Sequence, residues 1–247
     1  MWNVGVALMR EQPKMSALLT AVNLNLILHR LICISQAGDY TKEFVKRSDC
    51  AFALDVGCGG FSDLSRFRPQ ITTVGIDVFP AAVNEARANG SHDHYVVADI
   101  LKESTDDVLS KFDGRKFDLV MLYDVIEHLP KKDGYELLEK CEQLTSKYVL
   151  LKTPNGFVEQ GPEFGNEHQR HLSGWFPHDL EGLGYKVYGT SGTKYLRGYA
   201  AGPKYDFPGW MTCDIILARV LRAHKNPKRA FNLLAVKDVR GVPARLG

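Results

Sequence analysis

A short apolar run closed by Asp55 leads into three glycines within four positions: Gly57, Gly59 and Gly60. An apolar run bounded by glycines is typical of a fully buried strand, and a turn without side chains lets a ligand approach the backbone closely. Residues 61–65 can then open a helix, whose free N–H groups favour an anion or a carboxylate. The stretch therefore predicts a strand, a turn and a helix that together hold a nucleotide-type ligand.

Two more acids stand at the ends of predicted strands. Asp77 ends the apolar run 71–77 and lies about 20 residues beyond Asp55, the spacing that places a carboxylate on ribose hydroxyls in nucleotide-binding βαβ units. Asp99 follows the run 95–98, where a helix cap is the alternative to a ligand contact.

Strands and helices alternate around these acids. Further strands are predicted at 117–122 and 147–152, and helices at 80–88 and from about 132 to 144. Successive βα units imply a doubly wound parallel sheet, whose ligands bind at the carboxyl ends of the strands. We therefore expect one rim of the sheet to collect four acids: Asp55, Asp77, Asp99 and Asp124.

The spacing of the glycines distinguishes two kinds of nucleotide-binding turn. A dinucleotide-binding turn has its third glycine three residues after the second, where this chain has Ser62. The order hydrophobic-hydrophobic-Asp-x-Gly-x-Gly instead resembles motif I of the class I S-adenosylmethionine (SAM)-dependent methyltransferases, although many of them have a glycine where Phe61 stands here. Further segments resemble that family in the same order: Gly75-Ile76-Asp77, Val97-Ala98-Asp99, Phe117-Asp118-Leu119-Val120, Asp124 to Leu129, Thr153-Pro154-Asn155 and Tyr185 to Gly189.

This resemblance implies an α/β fold with a doubly wound, mostly parallel seven-stranded sheet, the Rossmann-like methyltransferase fold. The seventh strand would be antiparallel, with residues 231–237 as its candidate. We expect an N-terminal helical extension at 1–50 and the SAM-binding domain at 51–240. In the family the acid that follows the third strand contacts the adenine amino group. The residues implied to bind SAM are Asp55, Gly57, Cys58, Gly59, Gly60, Asp77, Val78, Asp99, Ile100 and Tyr123.

Methyl transfer from a sulfonium needs a positioned acceptor that loses its proton. Residues that do this should follow the fourth and fifth strands, where His128 and His171 stand. We predict that these two histidines are catalytic.

A narrower resemblance concerns the same histidines. Methyltransferases of ubiquinone biosynthesis and of small-RNA 2′-O-methylation carry Glu-x-x-Glu-His after the fourth strand and bind a divalent metal there. Here the segment is Asp124-x-x-Glu127-His128, and His171 precedes Trp175 by four residues, as in the RNA group. The resemblance implies Mg²⁺, Mn²⁺ or Zn²⁺ on Asp124, Glu127, His128 and His171, which would lower the pKa of an acceptor hydroxyl. The alternatives are a structural Glu127 and a histidine base without metal.

Composition limits the class of protein. The chain of 247 residues is 45% hydrophobic and 24% charged, enough for a packed core. Its five cysteines are scattered and odd in number, which favours neither a disulfide framework nor a zinc knuckle and fits a reducing cytoplasm. The most apolar stretch, 16–35, contains polar and basic residues, so we expect a helix beside the sheet, or one on a lipid surface, rather than a transmembrane segment or a signal peptide.

The C-terminal part differs in character. Residues 190–229 combine a turn-rich segment containing Tyr195, Tyr199 and Tyr205 with a predicted helix at 211–224, and we interpret them as an acceptor flap and helix inserted before the last strand. One helix face carries Cys213, Ile216, Leu217 and Val220, and the other carries Asp214, Ala218, Arg222 and Lys225. Residues 219–247 have a formal charge of +7 against −5 for the rest of the chain, which favours an anionic partner, RNA or a membrane surface, or a solvated basic tail.

These observations predict a cytoplasmic SAM-dependent methyltransferase, peripheral to a membrane if the lipid alternative holds. The aromatic flap favours O-methylation of a hydroxyl on a small molecule or glycan. An RNA 2′-O-methyltransferase that uses a divalent metal and a SAM-binding non-catalytic partner protein are the alternatives.

Overall fold

Seven strands form one sheet in the computed structural model, which describes residues 40–162, 165–199, 202–205 and 207–241. The strands are β1 (Phe52–Val56), β2 (Thr72–Asp77), β3 (His94–Val97), β4 (Phe117–Tyr123), β5 (Thr145–Pro154), β6 (Lys186–Thr193) and β7 (Ala230–Asp238). Their order across the sheet is β3-β2-β1-β4-β5-β7-β6. All pairs are parallel except those of β7, which runs antiparallel to both β5 and β6. The predicted seven-stranded, mostly parallel sheet is confirmed, including the antiparallel β7.

Helices cover both faces of the sheet. They are α1 (40–47), α2 (Pro80–Ala88), α3 (Thr105–Ser110), α4 (Lys131–Leu144), α5 (Pro177–Gly182) and α6 (Trp210–Val220). Local sequence explains several of their ends. Proline stands at the first position of α2, where a missing N–H costs nothing, and Ser104 and Asp107 form a reciprocal capping box on α3.

Two apolar clusters form the core, one on each face of the sheet. Along β1, Leu54 and Val56 belong to one cluster with α4, whereas Ala53 belongs to the other with α1. This alternation follows from the two-residue period of a strand. Because both faces are covered, β1 is buried at every position, including Asp55, and its other four residues are apolar.

Two predicted helices differ from the structure. The helix expected to open at 61–65 is a 3₁₀ helix, Asp63–Phe67, and the Ser62 side chain accepts a hydrogen bond from the Leu64 N–H. The Leu64 N–H is therefore already hydrogen-bonded within the turn and is not available to a ligand. The helix expected at 211–224 ends at Val220.

The predicted N-terminal helical extension is described only from residue 40 onward. The apolar stretch 16–35 lies outside the described residues. Within the described part of the chain, no helix combines the length and apolar character needed to cross a membrane.

Candidate active site

The turn after β1 depends on glycine at two points. Gly57 has a φ of +67°, and its N–H donates to the Ile76 carbonyl at 2.8 Å. A Cβ on Gly57 would stand 2.6 Å from a methyl carbon of Val125, so only glycine fits. Gly59 has a φ of +54°, and among the described residues no atom lies within 4 Å of the position that its Cβ would take. Val125 thus fills the space beside Gly57, whereas the space beside Gly59 can admit a ligand.

Asp77 ties the turn to the end of β2. Its Oδ2 accepts a hydrogen bond from the Gly59 N–H at 3.0 Å, and its Oδ1 accepts one from the Phe79 N–H at 2.8 Å. An ionised carboxylate has about four lone-pair positions, so Asp77 can accept further hydrogen bonds from a ligand in the opening.

Asp55 is buried beneath the same turn. Its Oδ2 accepts a hydrogen bond from the Ser62 hydroxyl and lies 3.5 Å from Nε2 of His92. Burial is the main cause that raises the pKa of Asp55 to about 7. The charges of Asp63 and Asp77 act in the same direction, and the hydrogen bond from Ser62 acts against them. Burial also lowers the pKa of His92 to about 4. Near neutral pH the imidazole is therefore uncharged and the carboxyl group is close to its midpoint.

The sequence analysis assigned no role to His92, which lies just before β3. The structure buries it to 2% exposure, against Gly75, where a Cβ would come within 2.5 Å of the imidazole ring. Neither ring nitrogen has a hydrogen-bond partner among the described residues. The local sequence between Gly90 and β3 does not predict this burial. The space for the imidazole exists because Gly75, on the neighbouring strand β2, has no side chain.

Two clefts meet at Gly57. The first, about 90 Å³, is apolar and has Asp77 and Asp99 at its edge; its other lining residues are Val56, Ile76, Val78, Ala98, Ile100, Leu101, Val125, Leu129 and Leu137. The second, about 380 Å³, is polar and is lined by Asp55, Cys58, Phe61, Ser62, Asp63, Ser65, Arg66, Met121, Tyr123, Asp124 and Lys152. Such a pair suits a ligand with a flat apolar group at one end and charged groups at the other.

The remaining predicted cofactor residues lie around these clefts. Asp99 lines the apolar cleft, accepts a hydrogen bond from the Leu101 N–H and pairs with Lys102. It therefore stabilises a turn, whereas the helix that follows is capped by Ser104. Cys58 is buried, and burial raises the pKa of its thiol. Gly60 accommodates the Glu85 carboxyl group, which a Cβ would meet at 2.5 Å.

Tyr123 contributes its ring to the polar cleft. Its hydroxyl is hydrogen-bonded to the Thr41 hydroxyl of α1, and burial raises the pKa of the phenol. The Lys152 ammonium lies 4.9 Å from the centre of the ring. It also lies 2.7 Å from Oδ2 of Asp124, whose charge raises the pKa of Lys152 despite its burial.

Asp124 begins a turn in which the backbone is strained. Its φ of +54° is unusual for a residue other than glycine. The turn leads through Val125, which contacts Gly57, into the 3₁₀ helix Ile126–His128. The segment 124–129 thus borders both clefts through Asp124, Val125 and Leu129, and Glu127 and His128 lie within it.

Glu127 is a buried carboxyl group with one unused oxygen. Its Oε2 accepts a hydrogen bond from the Thr153 hydroxyl at 2.9 Å, whereas its Oε1 is buried and has no partner among the described residues. Burial raises the pKa of Glu127 to about 8, and the charge of Asp124 adds to this effect. An orphaned buried oxygen is costly unless a proton or a cation satisfies it.

The structure brings His128 and His171 together, with their ring centres 4.8 Å apart. Nδ1 of His128 lies 3.3 Å from the Arg170 carbonyl, and Nδ1 of His171 lies 2.6 Å from the Val158 carbonyl. A carbonyl accepts only, so each Nδ1 carries a proton, and in the neutral form of each ring Nε2 holds the lone pair. Burial and the nearby His171 lower the pKa of His128 and so favour its neutral form.

The loop after β5 reaches His128 because it is hydrogen-bonded to the turn after β4. The N–H groups of Leu172 and Ser173 both donate to the Glu127 carbonyl, and the buried indole of Trp175 donates to the Ile126 carbonyl at 3.2 Å. Trp175 thus fixes the segment that begins at His171. This explains the four-residue spacing between His171 and Trp175.

Three of the four predicted metal ligands form a group. One ligand atom each from Glu127, His128 and His171 lies within 4.8 Å of the others. Asp124, the fourth predicted ligand, does not join them, because its carboxylate pairs with Lys152. A carboxylate and two neutral imidazoles are donors that divalent Mn²⁺ or Zn²⁺ accepts, and the unused Glu127 Oε1 fits such an ion.

The segment between β6 and β7 is held by a buried ion pair. Nε of Arg197 lies 2.9 Å from Oδ2 of Asp214, and the Thr193 N–H and hydroxyl both donate to Oδ1 of Asp214. Beyond this anchor Tyr199 is 62% exposed, with its hydroxyl 3.9 Å from the position that a Cβ would take on Gly161. The segment therefore reaches the loop that carries His171.

Comparison with known proteins agrees with this geometry. Residues 54–148 match the model of a methyltransferase domain. No curated protein sequence matches the chain. Among solved structures, a SAM-dependent methyltransferase from Archaeoglobus fulgidus is similar, with 17% identity, 88% of this chain and 94% of that chain covered, and a TM-score of 0.51.

Two other solved structures are similar at the same level. The plantazolicin methyltransferase BpumL, in complex with a pentazolic desmethylPZN analogue and SAH, is 17% identical, with 92% and 91% of the two chains covered and a TM-score of 0.50. The small RNA methyltransferase HEN1 is 15% identical, with a TM-score of 0.52. The match covers 85% of this chain but only 25% of the HEN1 chain. Likenesses of this kind show the fold.

The fold is that of the Rossmann-like methyltransferases, and the matched domain spans β1 to the middle of β5. The chain thus carries a segment, residues 54–148, that matches a methyltransferase domain, set within the fold of the SAM-dependent methyltransferases.

Proposed function

We propose that this enzyme transfers the methyl group of SAM to a hydroxyl oxygen of a small molecule or glycan. The observation that carries the proposal is the close approach of His128 and His171, each with its Nδ1 beside a backbone carbonyl, on the segments that follow β4 and β5. An acceptor hydroxyl must lose its proton as it attacks, and an imidazole with a free lone pair can take that proton.

SAM is proposed to lie across both clefts. Its adenine would occupy the apolar cleft with the Asp99 carboxylate at the edge, and its ribose hydroxyls would donate to Asp77. Its amino-acid group would extend over Gly59 into the polar cleft, where Asp55, Asp124 and Lys152 offer both signs of charge. Its sulfonium would then lie near the turn 124–129.

The reaction is an in-line displacement. The acceptor oxygen bonds to the methyl carbon as the bond from that carbon to sulfur breaks, which leaves S-adenosylhomocysteine. The proton of the hydroxyl passes to Nε2 of His128 or His171. The protein contributes orientation and proton removal, since the sulfonium supplies the reactive group.

The acceptor class is inferred from the side chains around His171. Phe157, Leu172 and Phe176 on the loop after β5 are exposed, and so are the flap tyrosines Tyr195 and Tyr199. Aromatic rings of this kind suit the face of a sugar or a phenol. The acceptor flap at 190–229 and the domain limits at 1–50 and 51–240 stay predictions.

Replacement of the two histidines tests the proposal. His128→Gln and His171→Gln should each lower methyl transfer to sugars or phenols by about 100-fold or more, with SAM affinity unchanged. His94→Gln, at an exposed side chain at the start of β3, is the matched control and should have no effect. Full activity in both active-site variants would remove the proposed bases. Tight SAM binding with no transfer to any acceptor would favour the non-catalytic partner protein.

A metal-dependent RNA 2′-O-methyltransferase is a second candidate, favoured by the group Glu127, His128 and His171. These residues would hold Mg²⁺, Mn²⁺ or Zn²⁺, which when bound would lower the pKa of the acceptor hydroxyl. Metal content after purification tests this candidate. Glu127→Gln should lower bound metal while Glu136→Gln, an exposed carboxylate on α4, should not. Metal-free protein that methylates small molecules would exclude it.

A further inference from the structure

Helix α6 packs on the fold with its polar face inward. Its two buried residues are Asp214 and Ala218, whereas Ile216 and Val220 are 57% and 72% exposed. The cause is Asp214, whose carboxylate is held by Arg197 and Thr193 and so directs that side of the helix to the sheet. The aliphatic face, with Cys213 also exposed, is consequently turned outward.

Basic side chains surround this aliphatic face. Five cations in α6 and the turn that follows it are exposed: Arg219, Arg222, Lys225, Lys228 and Arg229. Within the described part of the chain, none of the five pairs with a carboxylate. Much of the excess positive charge of residues 219–247 is therefore concentrated beside two exposed aliphatic side chains.

We propose that α6 and the turn 221–229 bind the surface of an anionic lipid bilayer. Ile216 and Val220 would enter the boundary between headgroups and acyl chains, and the five cations would contact lipid phosphates. This is the pattern of an interfacial amphipathic helix. The inference rests on the charge of this surface and on its exposed aliphatic side chains, and stands without the methyl-transfer step.

The side chains favour lipid over RNA. Ile216 and Val220 can neither stack on a base nor form a hydrogen bond with one, whereas single-stranded nucleic acid is bound mainly through aromatic stacking and backbone charge. Immersion in lipid removes their exposed apolar surface from water. The exposed tyrosines of the preceding segment, Tyr195 and Tyr205, are of the residue type that accumulates at membrane interfaces.

Vesicle co-sedimentation tests the proposal. The full chain should bind vesicles of phosphatidylcholine mixed with phosphatidylglycerol, fail to bind phosphatidylcholine alone, and dissociate as salt rises. Arg219→Gln/Arg222→Gln should weaken binding by about 30-fold. Arg47→Gln/Lys132→Gln removes the same charge from α1 and α4, at side chains 61% and 85% exposed, and should leave binding unchanged.

The aliphatic pair gives a second, independent variant. Ile216→Ser/Val220→Ser should weaken vesicle binding and leave the melting temperature unchanged, since both side chains face water. A marked fall in melting temperature would overturn the proposal, because it would show that another part of the chain or a second copy packs on this face.

Two other results would also contradict it. Equal vesicle binding by wild type and both double variants would place any lipid contact elsewhere. Salt-dependent binding of single-stranded RNA, lost in Arg219→Gln/Arg222→Gln and without vesicle binding, would make this a nucleic-acid face. SAM titration of the same variants separates the outcomes, since failure of the cofactor assignment would leave the vesicle result unaffected.

Discussion

Asp55 and His92 show how one buried site moves two pKa values in opposite directions. Burial favours the neutral form of each group, so the pKa of the acid rises to about 7 while that of the base falls to about 4. Their contributions to the pH dependence of stability therefore oppose each other. Between about pH 4 and 6.5 the folded state keeps a proton on Asp55 that the unfolded chain has lost, and lacks one on His92 that the unfolded chain has gained.

Single substitutions should separate the two contributions. Asp55→Asn removes the contribution that falls with pH, so the slope of the free energy of unfolding between about pH 4 and 6.5 should be more positive than in wild type, by on the order of 1–3 kcal/mol over that range. His92→Gln removes the contribution that rises with pH, so its slope should be more negative than in wild type. Urea denaturation of the three proteins at several pH values measures both differences. Differences of the same sign in the two variants would contradict this assignment.

Sequence reasoning at the residue scale succeeded where a local pattern determines position. Asp77 closes the turn through Gly59, which follows from its place at the end of a strand. His92 and the Asp124–Lys152 pair were missed, because both depend on side chains that meet across neighbouring strands. The roles of the predicted SAM-binding, catalytic and metal-binding residues stay predictions until ligand binding is measured.

Helix α4 illustrates how one element positions another. Gly134 in its first turns leaves space for the indole of Trp175, and a Cβ there would stand 2.4 Å from a ring carbon. Trp175 in turn holds the segment that carries His171 against the turn after β4. The contact between helix and loop therefore supports the meeting of His128 and His171.

Two helical glycines should respond in opposite directions to alanine. Gly134→Ala should lower the free energy of unfolding by about 1–3 kcal/mol, since overpacking against Trp175 outweighs the gain in helix propensity. Gly182→Ala in α5, where no described atom lies within 4 Å of the new Cβ, should raise it by up to about 1 kcal/mol. Denaturation midpoints measure both. Stabilisation by Gly134→Ala would show that Trp175 moves freely.

The central strands β1, β2, β4 and β5 were predictable because each is a mostly apolar run that is largely buried. The short 3₁₀ helix after β1 and the outward-facing α6 were not. The glycine turn favoured a helix opening at 61–65, and the sequence pattern separated an aliphatic from a polar face of the helix at 211–224 without deciding which is buried. In the structure the Ser62 cap and the buried Asp214–Arg197 ion pair determine the result instead. Tertiary contacts of polar groups decided both cases.

At the scale of the molecule, the cofactor clefts and the basic surface are built by different parts of the chain. The clefts lie at the carboxyl ends of β1, β2 and β4, within the segment that matches a methyltransferase domain. The exposed cations lie on α6 and the turn before β7, beyond that segment. Substitutions on the basic surface should therefore leave cofactor affinity unchanged.

Calorimetric titration of SAM tests the central claim most directly. The wild-type chain should bind one SAM, and Asp77→Asn should bind it more weakly by about 1–3 kcal/mol, since a charge-assisted hydrogen bond to ribose is lost. Asp106→Asn, at an exposed carboxylate on α3, should match wild type. Absence of SAM binding by the wild-type chain, or equal affinity in Asp77→Asn, would contradict the cofactor site described for Asp77 and the turn from Gly57 to Gly60.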